Sequence, residues 1–233
     1  MRTAVGSLSW VEWDARMAIA ARGTRSFAQS AVAVLIAIYL GLHGFSLVQV
    51  GAFLTTGAVG AALAAVVAGV LGDAMGRRRT LVTLSGLMAL AGIVLVMSES
   101  FPVLLIAAFV GNLSGFVGGG GMGPLEQAIL AVSVPPQRRT DLFALSSIAG
   151  TIAGSLGALA SGMPTLLQRA LGLGALASFR PMFVAYAVLA ALTALLYSRL
   201  SCRVELPSGA VDESVHAALP ETHLHPGWAL HRR

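Results

Sequence analysis

Lysine is absent from this chain, and charged side chains of every kind are scarce. All fifteen basic residues are arginines, and charged residues make up 11% of the 233 residues. Soluble domains carry about 25% charged residues, so the composition excludes an ordinary soluble domain. The apolar share of 56% predicts a polytopic membrane protein instead.

Cysteine is almost absent as well. Cys202 is the single thiol, which excludes a disulfide framework and a cysteine metal site. Three of the histidines near the end, His223, His225 and His231, match no helical ligand spacing and have no paired carboxylates beside them. We therefore expect no metal and no cofactor.

Six apolar segments of roughly the length needed to cross a bilayer follow the first 25 residues. The positive charges, for a net charge of +5, flank these segments and form no continuous patch, so nucleic acid is not an expected partner. The predicted spans are Phe27–Leu47, Val50–Leu71, Thr80–Met97, Pro102–Leu125, Leu142–Leu166 and Pro181–Leu200.

Arginines mark one side of these spans. Arg77–Arg79 lie in the second connection and Arg138 and Arg139 in the fourth, and other arginines precede the first span and follow the sixth. Arg169 and Arg180, in the connection between the fifth and sixth spans, are the two arginines on the other side. The positive-inside rule predicts a multi-pass protein of the cytoplasmic or inner cell membrane with both termini in the cytoplasm.

The chain divides into three predicted regions. In residues 1–25, Trp10 and Trp13 begin an apolar series at helical spacing, which indicates an interfacial amphipathic helix; a disordered basic leader is the alternative. Residues 26–200 form the six-helix bundle. Residues 201–233, rich in proline and histidine, indicate a cytoplasmic tail that is disordered or a truncated linker.

Small residues recur every four positions in the second and fourth spans, and the fifth span carries Gly150, Gly154, Gly157 and Gly162. Such rows let helix backbones approach closely in lipid. The four glycines Gly118–Gly121 go further, since each costs about 1 kcal/mol relative to alanine inside a helix. They predict a bend or break in the fourth span that lines a cavity. A tight helix crossing is the alternative.

The segment Gly69–Arg79 resembles the loop signature of the major facilitator superfamily, approximately Gly-x-x-x-Asp-x-x-Gly-Arg-Arg/Lys between the second and third helices. A second segment, from Pro124–Ala128 to Arg138–Thr140, resembles bacterial members described only as general transporters. The likeness covers Trp10–Leu200. The glycine-rich fifth span is similar to the antiporter motif of drug-efflux members, although its spacing departs from that motif.

The resemblance implies an all-α membrane protein of six transmembrane helices, built as two inverted three-helix repeats and forming half of a transporter fold. It implies secondary active transport of a small molecule by alternating access, with efflux as one form. It also implies a second six-helix bundle, which is a missing C-terminal half or a second copy of this chain. Membrane lipids are the other expected partners.

The resemblance also implies roles for the loop residues. Asp73 would grip the opposite bundle in one conformation, with Arg77 as its ion-pair partner. The alternative is a topology anchor whose arginines bind anionic headgroups, which is favoured for Arg78 and Arg79. The gating residues implied by the resemblance are Gly69, Gly72, Asp73, Gly76, Arg77 and Arg78.

Polar groups within the spans are costly and are candidates for a substrate or proton pathway. Glu126 would accept a proton or bind a cation; a structural ion pair with Arg138 or Arg139 is the alternative. Asn112 would face a cavity or bond between helices. His43, near the outer end of the first span, is the third candidate, but a passive interfacial role is favoured.

Two other function classes remain open. A rhomboid-type intramembrane protease needs Gly-x-Ser-Gly and a histidine base. Here Asn112–Gly115 lacks the leading glycine and the sixth span has no histidine, so we expect no enzyme. A half-size protein that transports nothing and acts as a scaffold is the other alternative.

Overall fold

The computed structural model describes residues 11–111 and 122–201, together with all side chains in these ranges except those of residues 71 and 73. This part of the chain is helical apart from its connections, with a single 3-10 turn at Pro136–Arg138. The α-helices are α1 (Trp13–Leu42), α2 (Leu47–Met75), α3 (Arg77–Met97), α4 (Phe101–Gly111), α5 (Met122–Val132), α6 (Arg139–Ala160), α7 (Met163–Leu171) and α8 (Arg180–Ser198).

The surface of the bundle is apolar. Val66 is 66% exposed, Val188 61% and Leu159 77%, and a soluble monomer rarely exposes contiguous apolar surface on this scale. Five stretches are long and apolar enough to cross a membrane, and α4 is a shorter apolar helix. The prediction of an all-α, multi-pass membrane protein is confirmed.

The first helix begins at Trp13, so the predicted start at Phe27 was wrong. Residues 13–25 continue without a break into the span, and Ala15, Ala18 and Ala21 are buried in the bundle core. Small alanines at three-residue spacing let this part of α1 pack closely against its neighbours. Trp13 is 62% exposed, and Trp10 lies outside the described residues. Contact of this segment with a membrane surface stays a prediction.

The fourth span also extends beyond its predicted end at Leu125, because α5 continues to Val132. Glu126 is therefore inside a helix. Between α4 and α5 lie residues 112–121, which fall outside the described residues and include Gly118–Gly121. The predicted break at these glycines stays a prediction.

The fifth predicted span, Leu142–Leu166, contains two helices. α6 ends at Ala160, and α7 starts after Gly162 with Pro164 in its first turn. Proline has no N–H to continue the hydrogen bonding of a preceding helix and is tolerated in the first turn of a new one. The apolar run is therefore divided at this proline.

The helices pack in a pattern that repeats. α1 packs mainly against α6 and α8, while α4 packs mainly against α2 and α3. If α4 and α5 together are the fourth span, then α6 is the fifth span and α8 the sixth. The first span thus packs against the fifth and sixth, and the fourth span packs in the same way against the second and third. Two spans lie between each pair of related helices, so a chain that crosses the membrane at every span gives repeats that run in opposite directions. The bundle thus agrees with two inverted three-helix repeats.

One pair of contacts shows this internal symmetry at atomic detail. A Cβ at Gly60 on α2 would lie 2.2 Å from the backbone oxygen of Phe109 on α4, and a Cβ at Gly157 on α6 would lie 2.2 Å from that of Phe27 on α1. Real Cβ atoms do not approach backbone oxygens this closely. Glycine is therefore required at the second–fourth and the fifth–first crossings alike.

We predict that Gly60→Ala lowers the melting temperature of the protein in detergent, because the added methyl group collides with backbone that cannot rotate away. Overpacking of this kind costs about 1–3 kcal/mol. Gly51→Ala on the same helix is the matched control, since a Cβ there meets nothing within 4 Å. Equal melting temperatures for the two variants would contradict the close crossing.

Candidate functional site

The loop motif forms the turn between α2 and α3. Gly76 is the single residue between these helices, and its φ of 94° is one that side-chain-bearing residues rarely adopt. Its carbonyl accepts hydrogen bonds from the backbone N–H of Thr80, at 3.2 Å, and from the Thr80 hydroxyl, at 3.0 Å. The turn is therefore compact and closed by its own hydrogen bonds.

The other residues of the motif have different surroundings. A Cβ at Gly72 would lie 2.6 Å from Leu125 on α5, so this glycine allows α2 and α5 to approach, whereas a Cβ at Gly69 would meet nothing within 4 Å. Asp73 lies in the last turn of α2, and its side chain is outside the described residues. The predicted ion pair between Asp73 and Arg77 stays a prediction.

Arg78 has a partner inside the bundle. Its Nη2 donates to the backbone carbonyl of Ser198 at 2.5 Å, in the last turn of α8. Carbonyls at the C-terminus of a helix lack partners within the helix, and a cation there also complements the helix dipole. Arg78 therefore caps α8, a contact that neither a headgroup anchor nor a gate had suggested.

Of the three predicted pathway residues, His43 lies far from Glu126. His43 follows the last residue of α1, where its ring lies 4.3 Å from that of Tyr39 and its Nε2 lies 4.0 Å from Glu99. It is 18 residues beyond Arg25, about 27 Å along a helix, and so at the opposite end of the bundle from Glu126. Asn112 falls outside the described residues.

Glu126 is the centre of a buried charge cluster. Nη2 of Arg25 on α1 donates to both of its carboxylate oxygens, at 2.8 and 2.9 Å, and the hydroxyl of Tyr197 on α8 donates to Oε1. The side chains of Arg25 and Glu126 are 4% and 1% exposed. The predicted pairing with Arg138 or Arg139 was wrong, because α5 turns Glu126 inward toward α1.

A carboxylate and a guanidinium removed from water each cost several kcal/mol, which the pair recovers only when its hydrogen bonds are well formed. Here the carboxylate accepts three bonds from charged or hydroxyl donors, and Nη1 of Arg25 also donates to Gln29 at 3.4 Å. The cluster joins three helices, α1, α5 and α8. It therefore fixes the relative position of helices from both repeats.

A polar cavity of about 450 Å³ opens beside this cluster. It lies between α1, α5 and α6, and one side is formed by Arg22, Arg25 and Glu126. The other lining residues are glycines or carry hydroxyl and amide groups. Ligand sites typically enclose about 300–1,000 Å³, so a small molecule fits.

Comparison with known proteins decides the family. The model of the Major Facilitator Superfamily matches residues 19–228, which is most of the chain. The chain belongs to the major facilitator superfamily. It is also 31% identical over 163 residues to the uncharacterized membrane protein YJR124C of Saccharomyces cerevisiae. That alignment covers 68% of this chain but 36% of the yeast protein.

In this superfamily member, the residues that sequence reasoning missed are Arg22, Arg25, Gln29 and Tyr197. Arg22 and Arg25 had been counted as charges flanking the first span, on the assumption that the span began at Phe27. A usable signal was present: Arg22, Ser26 and Gln29 recur at three- and four-residue spacing on one face of α1. Tyr197 gave no such signal, because it lies in an apolar run.

We predict that Glu126→Gln lowers the free energy of unfolding by about 3–5 kcal/mol, because it leaves the charge of Arg25 buried without a carboxylate. The measurement is a denaturant titration of the purified protein in micelles. The double variant Arg25→Gln/Glu126→Gln should recover part of the loss, since no buried charge remains.

Glu99→Gln is the matched control for this experiment. Its side chain is 73% exposed, and exposed ion pairs contribute about 0–1 kcal/mol. A loss in Glu126→Gln no larger than in Glu99→Gln would contradict the buried pair.

Proposed function

We propose that this chain is one bundle of a secondary active transporter that moves a small molecule across a membrane by alternating access. The observation that carries the proposal is the polar cavity between α1, α5 and α6, with a buried ion pair in its wall. Charged groups inside membranes are costly and are retained mainly where they serve a pathway or a site. Membership of the superfamily supports the same function.

Such transport requires a second bundle, because alternating access is largely a movement of one bundle against another around the substrate site. The matched region of this chain corresponds to 36% of the yeast relative. The second bundle is a C-terminal half that this sequence does not include, or a second copy of this chain. The cavity then lies on the surface where the two bundles meet.

We propose that the protein lies in the cell membrane, with the arginine-containing connections on the cytoplasmic side. The prediction assigned ten arginines to this side, namely Arg16, Arg22, Arg25, Arg77, Arg78, Arg79, Arg138, Arg139, Arg199 and Arg203. Arg25 is buried in the bundle and Arg22 lies in the cavity, so these two no longer count. Eight remain, against Arg169 and Arg180 on the other side. The positive-inside rule therefore favours the same topology as before.

The test for a water-filled cavity uses single thiols in a Cys202→Ser background. We predict that cysteines replacing Ser147 or Thr151, which line the cavity on α6, react rapidly with a neutral hydrophilic maleimide in membrane vesicles. Thiols must ionise in water to react. The rates are measured by gel shift.

The matched controls lie on the same helix. Ile148 and Ile152 are each 57% exposed but face away from the cavity, so cysteines there should react slowly in lipid. Equal reactivity of the thiols on the two faces of α6 would show that the cavity face is no more accessible to water than the other face. That result would favour a scaffold that transports nothing.

Asp73 is the proposed gating residue. In vesicles that contain the assembled two-bundle protein, we predict that Asp73→Asn changes the ratio of cavity-thiol labelling from the two sides of the membrane. The reason is that loss of the charge weakens the grip on the opposite bundle. Arg79→Gln, an exposed position of the same turn, should leave the ratio unchanged. An unchanged ratio in Asp73→Asn would leave only an anchoring role.

A further inference from the structure

The described residues that line the cavity carry a net charge of +1. The charged ones among them are Arg22, Arg25 and Glu126. Arg25 and the Tyr197 hydroxyl occupy the Glu126 carboxylate with three hydrogen bonds. Nη1 of Arg22 lies 3.9 Å from Oε2, which is beyond hydrogen-bond distance. The negative charge of Glu126 therefore neutralises the positive charge of Arg25, and the net charge of the three residues is that of Arg22.

Arg22 is held at the cavity wall and is not a loose surface charge. It is 26% exposed, and a Cβ at Gly150 on α6 would lie 3.0 Å from its Nε. The absence of a side chain at Gly150 is thus what makes room for the guanidinium between α1 and α6. Arg22 lines the cavity together with residues that carry hydroxyl and amide groups.

The uncharged residues of the lining restrict the class of ligand further. Apart from the three charged residues, the described residues that line the cavity present serine and threonine hydroxyls, two glutamine amides and glycine backbone, and none of them is aromatic or a large aliphatic. A hydrophobic cation would meet neither an apolar surface nor a spare carboxylate. A small polar anion would meet a guanidinium and several hydroxyl donors.

We infer that the cavity selects small anions that carry a carboxylate or phosphate group, with Arg22 as the residue that recognises the charge. This inference rests on the proposed function, because it names the substrate class of the same cavity. It also differs from the expectation that Glu126 binds a cation, since Arg25 already occupies that carboxylate.

The first experiment measures the charge of the cavity with reagents that need no known substrate. In the Cys202→Ser background, a cysteine at Ser147 is treated with methanethiosulfonates that carry either a sulfonate or a trimethylammonium group. The ratio of the two rates is divided by the ratio for a free thiol. We expect an excess of about tenfold for the anionic reagent, the order that one unit charge produces within about 10 Å at intermediate dielectric.

Three variants assign that preference. Arg22→Gln should reduce the ratio to that of a free thiol or below, whereas Arg22→Lys should retain most of it. Arg79→Gln removes the same charge from the chain at the α2–α3 turn, outside the cavity, and should leave the ratio unchanged. A ratio near one in the parent protein, or a preference that survives Arg22→Gln, would overturn the inference.

The second experiment identifies the anion by protection. Sodium benzoate and inorganic phosphate should slow labelling of the Ser147 thiol by a neutral maleimide, while tetramethylammonium chloride should not. Protection should be lost in Arg22→Gln, and equal labelling of that variant without added anion shows that it is folded. Protection by the cation alone would overturn the inference.

A lipid phosphate presents the same chemistry as a dissolved one, so protection is measured in two kinds of liposome. In pure phosphatidylcholine, protection by the dissolved anions supports a solute site. Slower labelling that depends only on added phosphatidylglycerol would overturn it and assign Arg22 to a lipid headgroup.

The two proposals fail differently. If the Ser147 thiol does not react with the neutral maleimide at all, the water-filled cavity of the proposed function is lost. If it reacts but without preference for charge, the transport proposal stands and only the selection of anions is wrong.

Discussion

The ion pair between Arg25 and Glu126 is the interaction on which the rest of the bundle depends. An unpaired charge at either position would cost several kcal/mol in an apolar interior, so α1 and α5 must hold their side chains face to face. This requirement explains why α1 is helical well before its apolar run and why α5 continues past Leu125. The Tyr197 hydroxyl adds α8 to the same cluster.

Glycines on α6 give that helix two functions at once. Gly157 brings its backbone against the carbonyl of Phe27, while Gly150 and Gly154, at about one-turn spacing, leave room for Arg22 and Ser30. The same row of small residues therefore produces a tight crossing at one level and a cavity at the next. Lipid supplies no hydrophobic drive between helices, so this close fit is what stabilises the contact between α1 and α6.

The inverted repeats were implied by the resemblance to the superfamily, and the side of the membrane marked by arginines stays a prediction. The sequence itself predicted the apolar spans, because apolar length is a local property. It did not predict the cluster. Arg25 and Glu126 are 101 positions apart, and neither residue's neighbours reveal its partner. Arg22 and Arg25 also resembled charges that flank a span, since the sequence alone does not show how deeply an arginine is buried in the bundle. The Gly76 turn was predictable because few residues other than glycine accept its φ.

The loop motif and the charge cluster are in contact through their neighbours. Gly72 packs against Leu125, the residue before Glu126, and Arg78 donates to the carbonyl of Ser198, the residue after Tyr197. A shift of the α2–α3 turn relative to α8 must therefore break the Arg78 bond or move the end of α8 that carries Tyr197. These two contacts connect the α2–α3 turn to the residues next to Glu126 and Tyr197. Arg22 lies 3.9 Å from Glu126, so the cavity adjoins the same cluster.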